Sequence, residues 1–331
     1  MKLKTLPLLL IALLGMLLVT PGYARIYRCE NAQGQSVFQD RPCLWQNQIN
    51  DQAQPGQQSD PNQRHFLWKA TSARNTIHLF GSIHFGSSEM YPLPEVVTRA
   101  YDGSDALVVE VNTNEVDPKV LQQFMIERGS YPKGDTLEKH LSPETWNKLL
   151  LAAHEQHLDI AKLQDKQPWL IVFSLATLAI TKSGFSPNFG IDQYFLKGAQ
   201  GRKPIIELES AEQQMLLMTT FSRVEQERLL KETLDQLEQA SSYFRSMLKA
   251  WNSGDVSTVQ ELIQSEIGSE PSAKELYDEM FTKRNHAMTD KLIEMSKSGQ
   301  NYFVVVGAGH MVGEEGIVEL LRGQGYQVTQ L

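Results

Sequence analysis

Cysteine is almost absent from this chain: two residues in 331, Cys29 and Cys43, without the CxxC spacing that would argue for a metal or redox pair. Long apolar runs are missing after the N-terminus. No later segment offers the roughly 18 uncharged apolar residues that a membrane helix needs. Lys and Arg are outnumbered, 31 against 39 Asp and Glu, for a formal charge of -8. That deficit argues against nucleic acid as a partner, because phosphate binding draws its affinity from clustered cations. Familiar catalytic signatures are lacking too. There is no HExxH helix, no Gly-x-Ser-x-Gly elbow, no Walker loop and no GxGxxG, since Gly307-Ala308-Gly309 has no third glycine at the right spacing.

The first residues are informative in themselves. Lys2 and Lys4 precede an apolar stretch from Leu6 to Val19 and then Gly22-Tyr23-Ala24. This pattern reads as a signal peptide, residues 1–24, cleaved after Ala24, and places the mature protein in the periplasm or outside the cell. Loss of Lys2 and Lys4 takes the charge from -8 to -10. Both cysteines fall in the exported part, fourteen positions apart, and are expected to form one disulfide. A loop of that size is worth about 3 kcal/mol in the chain-entropy view.

Residues 25–45 read as a small β module. Ile26-Tyr27-Arg28-Cys29 and Ser36-Val37-Phe38-Gln39 flank a turn rich in Asn and Gly. With its Tyr-x-Cys and closing Asp40-Arg41-Pro42-Cys43, the stretch resembles a domain of unknown function found at the start of many exported bacterial proteins. Residues 46–64, dominated by Gln, Asn, Asp, Pro and Gly, read as a flexible linker.

The main domain, 65–331, alternates apolar strands with helices at first, becomes helical in the middle, and returns to strands near its end. The expected fold class is α/β (α+β), with a central mixed sheet and a large helical insertion. Within it, two look-alike turns follow buried-strand patterns: Gly81-Ser82-Ile83-His84-Phe85-Gly86 after Thr76–Phe80, and Gly307-Ala308-Gly309-His310-Met311-Val312-Gly313 after Tyr302–Val306. Both histidines should stand at strand carboxyl ends, where open α/β sheets bind ligands. A glycine at each turn is expected to supply backbone freedom. His65, His78, His140, His154, His157 and His286 lack this setting and read as structural or solvated.

Carboxylates complete the candidate set. Glu110 ends the run Ala106-Leu107-Val108-Val109, so an acid enters a buried strand and must meet a cation, a donor or a metal. Glu207 and Glu209 close another strand and are expected on the same side by its period of two. Two His with one or two carboxylates are a common ligand set for Zn, Mn, Co or Fe.

Taken together, the Gly-Ser-Ile-His84 turn with Glu89-Met90-Tyr91-Pro92, the Val-Val-Glu110 strand, Glu207-Leu208-Glu209-Ser210, Arg284-Asn285 and Gly-Ala-Gly-His310 resemble the TraB/GumN/PrgY family over about residues 65–331. The resemblance implies a fold shared with the Tiki metalloproteases and the erythromycin esterases. It implies an active centre of His84, His310 and Glu110, holding a divalent ion such as Zn, Mn or Co. It further implies Glu209 as an acid of the Leu-Glu-Thr motif, here with Ser210 in place of Thr, and Arg284 as a clamp for a substrate carboxylate or oxyanion. The expected activity is that of an exported metal-dependent hydrolase, peptidase-like, with Glu209 or Glu207 as general base and a peptide or small molecule as substrate. A non-catalytic binder of peptide or metal-bearing ligands and a metal-free esterase-like hydrolase are the alternatives.

Overall fold

A computed structural model describes residues 27–30, 36–39, 63–217, 219–267 and 271–331. Contacts divide the chain between residues 19–62 and the remainder. In the small unit β1 (Tyr27–Glu30) and β2 (Ser36–Gln39) pair antiparallel, Tyr27 opposite Gln39, as expected for the hairpin. The signal segment, Cys43 and most of the linker lie outside the described residues.

The large unit is built on a six-stranded mixed sheet. Its strands are β3 (Leu67–Thr71), β4 (Thr76–Ser82), β5 (Ala106–Val109), β6 (Ile205–Glu207), β7 (Tyr302–Gly307) and β8 (Gln327–Gln330), in the order β6-β5-β7-β4-β3-β8. β4, β5, β6 and β7 run parallel, and the β3–β4 and β3–β8 pairs are antiparallel. Every residue of β5 and β7 is buried. That is why they read as unbroken apolar runs, with no alternation.

Helices fill the long crossover connections. They are α1 (Glu95–Asp102), α2 (Pro118–Gly129), α3 (Pro143–Glu155), α4 (Pro168–Lys182), α5 (Ile191–Ala199), α6 (Ala211–Leu217) and α7 (Arg223–Gln236), then α8 (Ala240–Asn252), α9 (Val256–Ile267), α10 (Pro271–Tyr277), α11 (Lys283–Ser296) and α12 (Ile317–Gly323). Phe80, Phe195 and Phe303 meet edge-on or tilted with centroids 4.9 to 6.0 Å apart, Tyr101 closes the group, and this aromatic cluster pins α1 and α5 to the sheet.

Two helical expectations are corrected. The apolar spacing predicts one helix over 160–182, but only a short turn forms at Ile160–Lys162 and α4 begins at Pro168. Proline lacks the N–H that an interior helical position must donate, so it stands in the first turn. The sequence reading passed over α2, whose residues mix apolar and polar types with little facial bias. The expected break at Gly254 is present, with φ at +65.

Candidate functional site

The parallel pairing brings the twin turns together. β4 and β7 are neighbours, with Gly81 opposite Val306 and Ser82 opposite Gly307, so His84 and His310 leave the same end of adjacent strands. β5 flanks β7 on the other side with Val109 opposite Val305, and Glu110 follows directly. Beyond it, β6 pairs with Val109 through Glu207, and the Glu209 N–H donates to the Glu110 carbonyl at 2.8 Å. His84, His310, Glu110 and Glu209 thus share one sheet edge. His84 and His310 are 5% and 3% exposed and Glu110 7%.

The glycines ahead of each histidine serve close packing, and Gly307 has φ at -50. The expected backbone freedom is found at Gly313, which closes the second turn with φ at +84. A Cβ on Gly81 would stand 2.4 Å from the Phe66 ring, and one on Gly309 would stand 2.6 Å from the Phe281 ring. The Trp251 indole N–H donates to the Gly81 carbonyl at 2.6 Å, fixing the first turn from outside.

Each histidine is held by a partner on a helix. The His84 Nδ1 lies 2.7 Å from Asp192 Oδ2, and Ser82 Oγ donates to Asp192 Oδ1 at 2.7 Å. A carboxylate only accepts, so Nδ1 is the donor, and in the neutral ring the lone pair is on Nε2. His310 Nδ1 lies 2.6 Å from Asn285 Oδ1. The Asn285 amide is oriented by its Nδ2, which donates to the Glu315 carbonyl at 2.7 Å, so Oδ1 is the atom facing the ring. His310 is the Nδ1–H tautomer as well. Burial pushes its pKa well below the ordinary value, and the Arg284 cation adds to that.

Arg284 ties the acids together. Its Nε donates to Glu209 Oε1 at 2.7 Å and its Nη2 to Glu209 Oε2 at 2.6 Å and Glu110 Oε2 at 2.7 Å. Its Nη1 donates to the Met280 carbonyl at 3.0 Å, within a π-helical turn at Asp278–Thr282 between α10 and α11. Gln214 Nε2 bridges Glu110 and Glu209, 2.9 Å from each, and the Gly307 N–H donates to Glu110 Oε1 at 2.6 Å. Burial disfavours the guanidinium charge, but the Glu209 and Glu110 carboxylates outweigh it and raise its pKa above the usual value. The donors expected to clamp a substrate anion are therefore spent on protein carboxylates.

Glu110 Oε1 stands 3.8 Å from His310 Nε2. Among the described residues, no three His, Cys, Asp or Glu side chains form a ready metal-ligating group. Glu207 and Glu209 part company, against the expectation that both face one side. β6 ends at Glu207, so its alternation does not reach Glu209. Glu207 is exposed and accepts the Asn112 N–H at 2.5 Å, while Glu209 meets Arg284. Of the histidines set aside, His140 pairs with Asp135 and His286 with Glu315, both at 2.7 Å.

The TraB/PrgY/gumN family profile matches residues 66–330, which hold all of these strand ends. The chain belongs to the TraB/PrgY/gumN family. Residues 13–64 match a separate domain of unknown function, DUF4124. Among relatives, the family domain is similar to the uncharacterized protein YbaP of Escherichia coli (strain K12), 30% identical over 270 residues covering 78% of this chain and 94% of that protein. An uncharacterized protein of Treponema pallidum (strain Nichols) is 21% identical over 270 residues, 77% of this chain and 80% of its own length. A metalloprotease TIKI homolog of Amphimedon queenslandica is 22% identical over 326 residues, 82% of this chain and 62% of that protein. No solved structure matches at a significant level.

Sequence reasoning missed Asp192, Gln214 and the use of Asn285. A signal for Asp192 was present: it shares the stripe of Phe195, Leu196 and Ala199 at helical spacing, all buried, so an acid stands where an apolar residue is expected. The approach of α5 to His84 depends on Gly190, whose added Cβ would lie 2.3 Å from the His84 carbonyl oxygen. Backbone cannot yield there as a flexible side chain can. Gly190→Ala is expected to cost about 1–3 kcal/mol of stability, as overpacking does, and to displace His84. Thermal melts and the His84 ring resonances check this; a parent-like melt with unchanged resonances would refute it.

Proposed function

We propose that the chain is an exported metal-dependent hydrolase that cleaves peptide bonds at the carboxyl edge of β4, β7 and β5. The observation that carries this reading is the pair of buried histidines, each donating from Nδ1 to a protein acceptor and so bearing its lone pair on Nε2. Ligating histidines are held by an outer partner in this way. The distant likeness to a protein named as a metalloprotease supports the same reading.

The donor set suits a divalent ion such as Zn, Mn or Co, since neutral imidazoles and a carboxylate are ligands these ions accept. His84 and His310 would hold it through Nε2, and Glu110 through Oε1, which accepts the Gly307 N–H and stands 3.8 Å from His310 Nε2, whereas Oε2 already accepts from both Arg284 and Gln214. When bound, the ion supplies Lewis acidity toward a carbonyl and a water acidified toward neutrality. The remaining residues act by placement. Glu209 grips Arg284 through both its oxygens, Arg284 and Gln214 hold one oxygen of Glu110 in place, and the Gly307 N–H fixes the other. Arg284 and Glu209 are on this account positioning residues, in place of the anion clamp and general base suggested by the resemblance.

One observation favours a second reading. The Asp192–His84 hydrogen bond is also the arrangement by which a carboxylate orients a histidine general base, so hydrolysis without metal is the rival. The test is turnover of a mixed peptide library by residues 25–331, with and without a chelator, followed by Zn, Mn or Co. Products in excess of protein, lost on chelation and restored by metal, are expected. Chelator-insensitive turnover would favour the histidine base. Stoichiometric capture without product would sink both and leave a binder.

A further inference from the structure

The two histidines are held alike at Nδ1 but by chemically different acceptors, a carboxylate on α5 and an amide on α11. An amide is the cheaper of the two to bury. Asp192 is 5% exposed, Ser82 is fully buried, and both Asp192 oxygens are spent on Ser82 and His84. Burying a carboxylate on an otherwise apolar helix stripe costs several kcal/mol before its partners offset it, and apolar residues of similar volume are often as stable or more so. Packing alone does not account for Asp192.

We propose that Asp192 is a positioning residue: it locks the His84 ring as the Nδ1–H tautomer in a single orientation, so that the Nε2 lone pair faces the site. Its meaning for catalysis rests on the hydrolase reading above.

The surroundings leave Asp192 little room to move. The Ile191 N–H donates to the Ile83 carbonyl at 3.0 Å, joining the start of α5 to the residue before His84. Tyr91 donates from its hydroxyl to the Phe189 carbonyl at 2.9 Å and stacks on Tyr194 with centroids 4.9 Å apart, bracing the same turn. Ser82, two residues before His84, steadies the other carboxylate oxygen. The acceptor, the turn and the ring therefore move as one body.

The arrangement predicts how substitutions divide. Asp192→Leu keeps the approximate volume and removes the acceptor, freeing His84 to sample both tautomers. Asp192→Asn offers an amide oxygen to Nδ1, as Asn285 does for His310, and its NH₂ can donate to a reoriented Ser82 hydroxyl. It should preserve the tautomer. Neither change touches Asn285, so His310 is an internal control.

The test is a long-range proton–nitrogen correlation spectrum of histidine-labelled residues 25–331 without metal, at about pH 9, where an ordinary imidazole is neutral. His84→Gln assigns the His84 signals. The parent should show His84 only as Nδ1–H, Asp192→Leu a mixture of tautomers, and Asp192→Asn the parent pattern, with His310 unchanged throughout. Zinc affinity should fall about 10- to 100-fold in Asp192→Leu, the usual cost of losing an outer partner, and recover in Asp192→Asn. An Nε2–H tautomer in the parent, or an unchanged tautomer in Asp192→Leu, overturns the proposal. Should Asp192→Leu fail to fold, Asp192→Ala, which also removes the acceptor, takes its place with the same mixture of tautomers expected. If the tautomers behave as expected but no variant binds zinc, the positioning role stands and the metal-dependent reading fails.

Discussion

Replacement of His84 and His310 together by alanine is expected to abolish divalent-metal uptake and to leave a chain that still folds, with a moderately lower unfolding midpoint than the parent. The asymmetry follows from what each side chain does. Both rings are buried and use Nδ1 for one hydrogen bond each, to Asp192 and Asn285. Truncation removes the hydrogen bond at each Nδ1 and takes from the buried Asp192 carboxylate one of its donors, at a cost of about 2–4 kcal/mol even where water enters the vacated volume. The functional loss is of a different order, because the expected ligand set loses both its nitrogens. Mass spectrometry after loading residues 25–331 with Zn, Mn and Co should give near one metal per parent chain and none in the double variant. Equal metal content in the two would rule out this ligand assignment, and single variants would then show which histidine, if either, matters.

Arg284→Met should be the most destabilising single substitution at the site, by about 3–5 kcal/mol. Removing one partner of a buried ion pair leaves the others charged without compensation. Here a single cation serves Glu110 and Glu209, which are 8% and 11% exposed at their side chains, against 12% for Arg284. Arg284→Lys keeps the charge but replaces a planar fork with a point donor, and should recover only part of the loss. The triple change of Arg284, Glu110 and Glu209 to Met, Leu and Leu should be milder than Arg284→Met alone, since no charge is then stranded. Urea unfolding of the four proteins measures this directly. A loss under about 1 kcal/mol for Arg284→Met would refute the view that this guanidinium compensates two buried carboxylates.

Much of this site was legible before the fold was known, because strand-end chemistry leaves a local mark. A run such as Tyr302–Val306 that is apolar at every position and stops at a glycine and a histidine announces a buried strand and an exit turn. The same logic found His84 and Glu110. Asp192 and Gln214 escaped because each sits inside a helix, where a polar residue has no local cue to its partner; only the packing of α5 and α6 against the strand ends supplies one. Arg284 was located by resemblance but given the wrong neighbours. Spacing along a chain cannot reveal that a guanidinium is already engaged by residues 75 and 174 positions away. Glu207 and Glu209 look alike in the sequence because the strand pattern runs on two residues past the true end of β6, and end positions are where periodicity says least.

The adjacency of β4 and β7 carries a consequence for the life of the chain. Thr76 and Asn301, joined by a hydrogen bond at the foot of that pair, are 225 positions apart. Closing a loop of this length is entropically costly and slow, and little is gained from it until the strand that closes it docks. The first histidine turn can emerge and wait, but its counterpart belongs to the last strand but one. A molecule cut before Tyr302 would retain His84, Asp192 and both paired acids yet have no second imidazole to face. On the proposed hydrolase reading, the site would therefore stay incomplete until β7 has been made and has docked between β4 and β5.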